Sequence, residues 1–361
     1  MIVLDSHCDS PSQMHRLRNF GIDNARAQVD FPKMIKGGVD ASFFALFTPN
    51  TLTNEQAAEL ADKMMAVMRL QVGENADKVA FAYSVEEVYM NKDKGLISIL
   101  IGMENGSPIC GSLDKLRDYY RQGVRYLTLT HNGDNDICDS CAGNHRWGGL
   151  SPFGKEVVAE MNRLGMIIDI AHCADDTVRD CLKYSKAPIV TTHSCCKALA
   201  SHRRNLTDEL IKAIAEKGGV IQINFYPVFL SDEFANDPVY QEVDDRCGEI
   251  EKEFRACPSN PEYFAGWQKG LAELESLDRP SYKVVVDHID HVVKIAGVDH
   301  VGLGSDFDGI DVTPAGLEDI SKFRIVIEEL RLRGYSEEEI TKIAGGNFLR
   351  VMKTVQDIAN Q

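Results

Sequence analysis

Eight short, β-rich apolar runs recur along the chain, at 2–8, 40–47, 96–103, 124–131, 166–172, 187–193, 218–226 and 300–306, and most are separated by longer stretches with helical spacing. No fixed period of the solenoid or propeller kind accompanies them. A chain that alternates strand and helix eight times has few ways to bury every strand on both faces. The arrangement predicted is the closed parallel (β/α)8 barrel, the TIM barrel of the α/β class. Helices are predicted over 54–72, 112–122, 152–164, 175–185, 207–217, 283–296, 317–333 and 336–357. Several have marked ends: Ser151 followed by Pro152 is a cap with proline in the first turn, Gly165 sits just past a helix, and Thr207 precedes Asp208 and Glu209.

Two segments exceed the minimal pattern. Residues 10–39 are expected to form a helix and an irregular return, and 227–281, after the seventh strand, a helical insertion near the barrel mouth. A lid, a dimer contact or a solvated excursion are all open for the second. Residues 1–361 are read as a single domain, a length that barrels of this kind reach with insertions. The 39 Lys and Arg against 55 Asp and Glu leave a net charge of −16, which excludes the concentrated positive charge of a nucleic-acid binder. The start Met-Ile-Val-Leu-Asp-Ser-His-Cys-Asp has no basic region or cleavage site, no apolar run reaches the ~20 residues that span a bilayer, and the final Val-Gln-Asp-Ile-Ala-Asn-Gln forms no hydrophobic tail. A soluble, cytoplasmic protein without a membrane partner is expected, with its ten cysteines mostly free and packed. A homodimer is the default oligomer.

Active sites of such barrels lie at the C-terminal ends of the strands, so the ionisable residues there carry the chemistry. Strand one ends in His7 and Asp9, strand three in Glu104, strand four in His131, strand five in His172, strand six in His193, and strand eight in Asp306 with Asp308 beyond. His7 and Asp9, two apart, share a strand face and meet one cation. His172 and His193, twenty-one residues apart on successive units, flank a second, and Glu104 with its two oxygens could bridge the pair. Nitrogen and oxygen donors suit Zn²⁺ best, with Mn²⁺, Co²⁺ or Fe²⁺ allowed by ligand type. Two cations about 3.5–4 Å apart hold a shared hydroxide at neutral pH and polarise a carbonyl, which is what amide hydrolysis needs. Asp306 is placed to accept a proton from water and pass it to the leaving amine, with Gly302 and Gly304 leaving room above the core.

Read as blocks, these residues resemble the renal (membrane) dipeptidases, a branch of the amidohydrolase-like metallopeptidases. The likeness covers essentially the whole chain. It rests on His7-x-Asp9, Gly102-Met103-Glu104-Asn105-Gly106, the stretch Tyr126 to Asn132, Leu150-Ser151-Pro152-Phe153-Gly154, Asp169-Ile170-Ala171-His172, Thr192-His193-Ser194, Arg203-Arg204-Asn205, Asn224-Phe225-Tyr226 and the stretch Gly304 to Gly309. The resemblance implies two zinc ions bridged by Glu104, with His7 and Asp9 on one and His172 and His193 on the other. It also implies that His131 binds the scissile carbonyl region and that Arg204 holds the free carboxylate of a dipeptide substrate. A forked, always-charged guanidinium suits that carboxylate. Arg203 is the rival for that role. The family cleaves dipeptides and often accepts a D-residue on the C-terminal side. The chain is expected to depart from the mammalian pattern by having no secretory or lipid-anchor signal and a 227–281 segment longer than usual.

Other features have plainer readings. Cys138-x-x-Cys141 lacks a thioredoxin-like context, Cys8 faces away from the site by strand parity, and Cys195-Cys196 are packed. The acidic run of Asp244, Asp245, Glu249, Glu251 and Glu253 is a solvated helix face, and His288 and His291 serve packing or surface roles. The nearest rival function is an N-acyl-amino-acid deacylase or lactonase using the same metals. A non-catalytic scaffold barrel is disfavoured by the complete ligand set, and a phosphate-binding aldolase or isomerase by the lack of a cationic glycine-rich loop after the last strands.

Overall fold

The computed structural model describes residues 1–16, 18–25, 27–257 and 260–360; of the segments singled out above, positions 17 and 26 of 10–39 and positions 258 and 259 of 227–281 lie outside them. Nine strands form one parallel sheet: β1 (Leu4–Cys8), β2 (Ala41–Phe47), β3 (Val79–Phe81), β4 (Ile97–Glu104), β5 (Val124–Thr128), β6 (Ile167–Asp169), β7 (Val190–Ser194), β8 (Val220–Ile223) and β9 (Val301–Leu303). Eight of them run in the order β1-β2-β4-β5-β6-β7-β8-β9, and the ends meet where Asp9 N–H donates to Phe307 O (2.8 Å) and Asp306 N–H to His7 O (3.0 Å). The result is a (β/α)8 barrel, as expected. The extra strand β3, which was not predicted, pairs with the start of β4 off the barrel path.

The strands are buried on both faces. Inward residues Leu4, Phe43, Leu100, Tyr126, Ile167, Val190 and Val220 fill the barrel, and Phe348 from the last helix closes its lower end against Phe43, with ring centroids 5.2 Å apart. Outward residues such as Phe44, Ile101, Leu127 and Ile168 pack under the helices.

Helix boundaries follow the caps. The helix Pro152–Leu164 begins where Ser151 Oγ accepts from Gly154 N–H (2.8 Å) and stops at Gly165, whose φ of 78° ends the helical turn. The predicted helix 317–333 is shorter, a 3₁₀ turn Ile320–Lys322 followed by Arg324–Leu332. The predicted helix 336–357 is interrupted: Glu337–Thr341 passes through a π turn, Lys342–Gly346, into Asn347–Ala359. The break sits at Gly345, where a Cβ would lie 2.9 Å from Ile2 O and Leu4 Cβ, so close approach to the barrel floor dictates both the glycine and the irregular turn. The short helix Val85–Asp93 was missed because it buries little apolar surface.

The 227–281 segment is helical, in four pieces: Pro227–Leu230, Asp232–Ala235, Pro238–Ala256 and Pro261–Ser276. It has its own apolar cluster, including Phe234, Tyr240, Val243, Cys247 and Leu274, with Phe254 and Trp267 stacked at 5.2 Å. The acidic run on it is not uniformly solvated: Asp245 and Glu253 are exposed, Asp244 is half-buried, and Glu251 lines the cavity at the barrel mouth. The ten cysteines are unbridged and seven are buried. His288 is a packing residue: its Nδ1 accepts from Cys196 N–H (3.0 Å), so its Nε2–H donates to Leu230 O (3.1 Å). Among the described residues, no helix is long and apolar enough to cross a membrane.

Candidate active site and metal centre

The polar cluster at the C-terminal end of the barrel comes from strand ends and from the loops just past them. His7 lies within β1, Asp9 one residue after it, Glu104 at the end of β4 and His193 within β7. His131, His172 and Asp306, expected to end strands, instead lie three residues beyond β5, β6 and β9. The reason is conformational for two of them: His172 (φ 65°) and Asp306 (φ 63°) occupy the left-handed region, which no strand contains. Asn105 (φ 78°) and Asp308 (φ 66°) flank the same cluster in the same region. Non-glycine residues there cost about 1–2 kcal/mol each and persist only where neighbours hold them, a pattern that gathers at functional sites. His172 is held by its carbonyl, which accepts from Cys141 N–H (2.8 Å) and Ser140 Oγ (3.2 Å). The glycines of the last strand do not leave open space as expected. A Cβ at Gly302 would strike the Gln222 side chain, and one at Gly304 would lie 1.8 Å from Thr192 O.

Three imidazoles turn Nε2 toward Glu104. Its Oε1 lies 2.9 Å from His172 and 3.5 Å from His193, and its Oε2 lies 3.6 Å from His7. His7 Nε2 is also 3.7 Å from Asp9 Oδ2 and 3.9 Å from Asp306 Oδ1, and the Nε2 atoms of His172 and His193 are 3.1 Å apart. The opposite ring nitrogens are engaged. His7 Nδ1 meets Tyr126 OH (2.8 Å), His172 Nδ1 meets Asn132 Oδ1 (3.0 Å) and His193 Nδ1 meets Thr192 Oγ1 (2.9 Å). An imidazole that donates from Nδ1 leaves a lone pair at Nε2, the form that binds metals.

The residues fit cations. His7 Nε2 and Asp9 Oδ1 are buried without a hydrogen-bond partner, and an orphaned buried polar atom is costly unless something else satisfies it. Metal–ligand bonds of about 2.0–2.2 Å put two ligands of one ion up to roughly 4 Å apart, which the separations above match. The charges agree. Burial, with the Glu104 carboxylate adding to it, pushes Asp9 up to about 8; burial also carries Asp306 to about 6. Burial alone would lower the His7 pKa, but Glu104 and Asp9 raise it well above its ordinary value. Three buried carboxylates around one imidazolium are short of positive charge. Donor groups fall into three overlapping sets, His7 with Glu104 and His193, Glu104 with His131 and His172, and His7 with Asp9 and Asp306. His131 therefore stands within reach of the ligands as well as of the cavity, and burial pushes its pKa down to about 4, so it is neutral near pH 7.

A cavity of about 320 Å³ opens above the cluster, lined by Asp9, Glu104, His131, His172 and Asp306 and by Phe47, Tyr226 and Trp267, the last from the insertion. A neighbouring recess shares His172 and Asn132 and reaches Arg204. Both arginines line that recess and differ in burial. Arg203 is exposed, whereas Arg204 is only 5% exposed, donates from Nη2 to His193 O (3.0 Å), lies over the Phe229 ring and keeps a buried Nε without a partner.

The residues behind the ligands had no role assigned from sequence. Tyr126, Asn224, Asp5, Asp169 and Thr192, all buried, and the exposed Asn132 bond the candidate ligands or the loops bearing them. One signal was available: Tyr126 is paired in register with Gly102 on β4, and a Cβ at Gly102 would lie 2.1 Å from the Tyr126 ring. That glycine makes room for the tyrosine that orients His7.

Residues 1–361 match the model of the membrane dipeptidase family, peptidase family M19. The chain is 35% identical over 347 residues to the dipeptidase aclJ of Aspergillus oryzae, covering 93% of this chain and 72% of the relative. It is 31% identical over 377 residues to an uncharacterized dipeptidase of Schizosaccharomyces pombe, covering 99% and 82%. Among solved structures, the probable dipeptidase PvdM of Pseudomonas aeruginosa superposes with a TM-score of 0.84 at 28% identity, over 99% of this chain and 96% of that one.

Proposed function

Because the chain belongs to the membrane dipeptidase family, peptidase family M19, and is by that membership a dipeptidase, we propose that it holds two zinc ions and cleaves both L-L and L-D dipeptides. The observation that carries this reading is the convergence of three Nε2 atoms on the two oxygens of Glu104, with His7 Nε2 and Asp9 Oδ1 orphaned beside them. His7 and Asp9 would hold one ion, His172 and His193 the other, and Glu104 both. When bound, the ions supply Lewis-acid polarisation of the scissile carbonyl and lower the pKa of water.

The chain's own groups do the rest. Asp306 Oδ2 accepts from Asn224 Nδ2 (2.8 Å), which leaves Oδ1 directed at the cluster to take a proton and return it to the leaving amine. His131, neutral and at the edge of the cavity, donates an N–H to the oxygen that gains charge as the carbonyl is attacked. Arg204 pairs with the substrate carboxylate, so recognition falls on the terminus rather than on side-chain stereochemistry, and this supports tolerance of a C-terminal D-residue.

The test is metal content per chain together with amino-acid release from L-Ala-L-Ala and L-Ala-D-Ala. Two ions and turnover of both support the reading; two ions with hydrolysis of N-acyl amino acids instead would move it to a deacylase. Chelation should abolish turnover and lower the melting temperature, because ions that bind only the native state stabilise it. Arg204→Met should lower kcat/KM on dipeptides about 10- to 100-fold, the range for losing charge-assisted hydrogen bonds of roughly 1.5–3 kcal/mol. On dipeptide amides, which lack the carboxylate, the same variant should match wild type. An equal loss on amides would remove Arg204 from that role.

A further inference from the structure

Asp169, the last residue of β6, is fully buried and faces none of the donor sets. It accepts four hydrogen bonds, from the strands on either side, β5 and β7, and from the loop that follows β6. Thr128 Oγ1 (2.5 Å) and Thr192 Oγ1 (2.7 Å) meet its Oδ2, and Thr192 N–H (2.8 Å) and Ala171 N–H (3.1 Å) meet its Oδ1. Thr192 has a single hydroxyl proton. Spent on the carboxylate, it leaves the Thr192 oxygen as an acceptor only, and that oxygen lies 2.9 Å from His193 Nδ1 and, more distantly, 3.4 Å from His7 Nδ1, which Tyr126 OH meets at 2.8 Å. His193 must then carry its proton on Nδ1, and its lone pair is confined to Nε2, 3.5 Å from Glu104 Oε1. Three residues after Asp169 the chain turns through the left-handed His172, and the Ala171 N–H bond to Asp169 Oδ1 fixes that turn from below.

We propose that Asp169, acting through the Thr192 hydroxyl, is a positioning residue that selects the Nδ1–H tautomer of His193 and holds its Nε2, together with that of His172, on Glu104. The inference rests on the reading of His172 and His193 as ligands of one ion. A carboxylate that bonds a metal-binding histidine directly is a common arrangement; here a threonine hydroxyl is interposed, so the tautomer is set by the direction of one proton. Substitution of Thr192 tests this without removing a buried charge, since Val keeps the shape and loses the hydroxyl whereas Ser keeps the hydroxyl.

Zinc affinities of the full chain are measured by chelator competition for wild type, Thr192→Val, Thr192→Ser and Asp169→Asn, and Co²⁺ spectra are recorded for each. Thr192→Val should weaken one of two ions by about 10- to 100-fold and alter the cobalt spectrum, whereas Thr192→Ser should stay near wild type in both. Adding Thr192→Val to Asp169→Asn should cause no further loss, because the two act in series. If Asp169→Asn does not fold, the Val and Ser pair carries the test. A Val variant that binds both ions as wild type does, a Ser variant as weak as Val, or additive losses would overturn the inference while leaving the site intact. Wild type that takes up no metal would overturn the reading of the site itself, and this inference with it.

Discussion

Glu104→Gln is expected to remove metal binding and turnover together while leaving the barrel folded. The side chain is 3% exposed, and both oxygens face imidazole nitrogens at 2.9–3.6 Å. Burial alone would raise its pKa, but His7, His172 and His193 outweigh burial and hold it well below the ordinary glutamate value, so the carboxylate is ionised throughout the working range. Gln preserves the volume, removes the charge and replaces one acceptor by an NH₂ group, which cannot coordinate. Loss of a ligand shared by two ions should weaken both by more than the roughly 10- to 100-fold that follows loss of a residue behind a ligand. Metal analysis after gel filtration and the rate on L-Ala-L-Ala check this, with circular dichroism to confirm the fold. Two ions retained in the variant would sink the bridging assignment.

Asp306→Asn should lower kcat about 10²- to 10⁴-fold with both ions kept, the range for losing a general acid–base group. Asn can still accept from Asn224 Nδ2 through its amide oxygen, so the loop geometry is preserved and the proton acceptor is lost. The pH profile gives a second signature. Burial raises Asp306 to about 6, and the ionised form is the one that accepts a proton, so kcat/KM should fall tenfold per pH unit on the acid side of that value. Bound cations favour the carboxylate and move this limb to lower pH. In the Asn variant the limb should vanish. A variant that loses one ion along with its activity would instead make Asp306 a ligand, in keeping with its place beside His7 and Asp9.

The eight barrel strands were legible because each is a short apolar run set between helical stretches, and because a parallel sheet places all strand C-termini at one end. His7, Asp9, Glu104 and His193 could therefore be placed at that end of the barrel from position alone. The true strand ends were not legible. After Thr128, Asp169 and Leu303 the chain stays buried, with apolar residues such as Leu129, Ile170 and Phe307 continuing the pattern, while the regular strands have already ended. Hydrophobicity reports burial and does not report φ, so His131, His172 and Asp306 were placed on the right side of the barrel by the wrong reasoning. The interruption at Gly345 was hidden for a similar reason, since the apolar period continues across it.

Sequence alone determined the barrel, the end of it that bears the chemistry, and a donor set of histidines and carboxylates suited to divalent cations. Those follow from local periodicity and residue type. Only the tertiary structure buried Arg204 while leaving Arg203 exposed, brought Tyr126 to His7 across 119 positions and Asn224 to Asp306 across 82, and gave each imidazole the neighbours that bear on its tautomer. A tautomer depends on which atom lies within about 3 Å of one ring nitrogen. That neighbour comes from another strand or loop, and no short-range pattern in the chain records it.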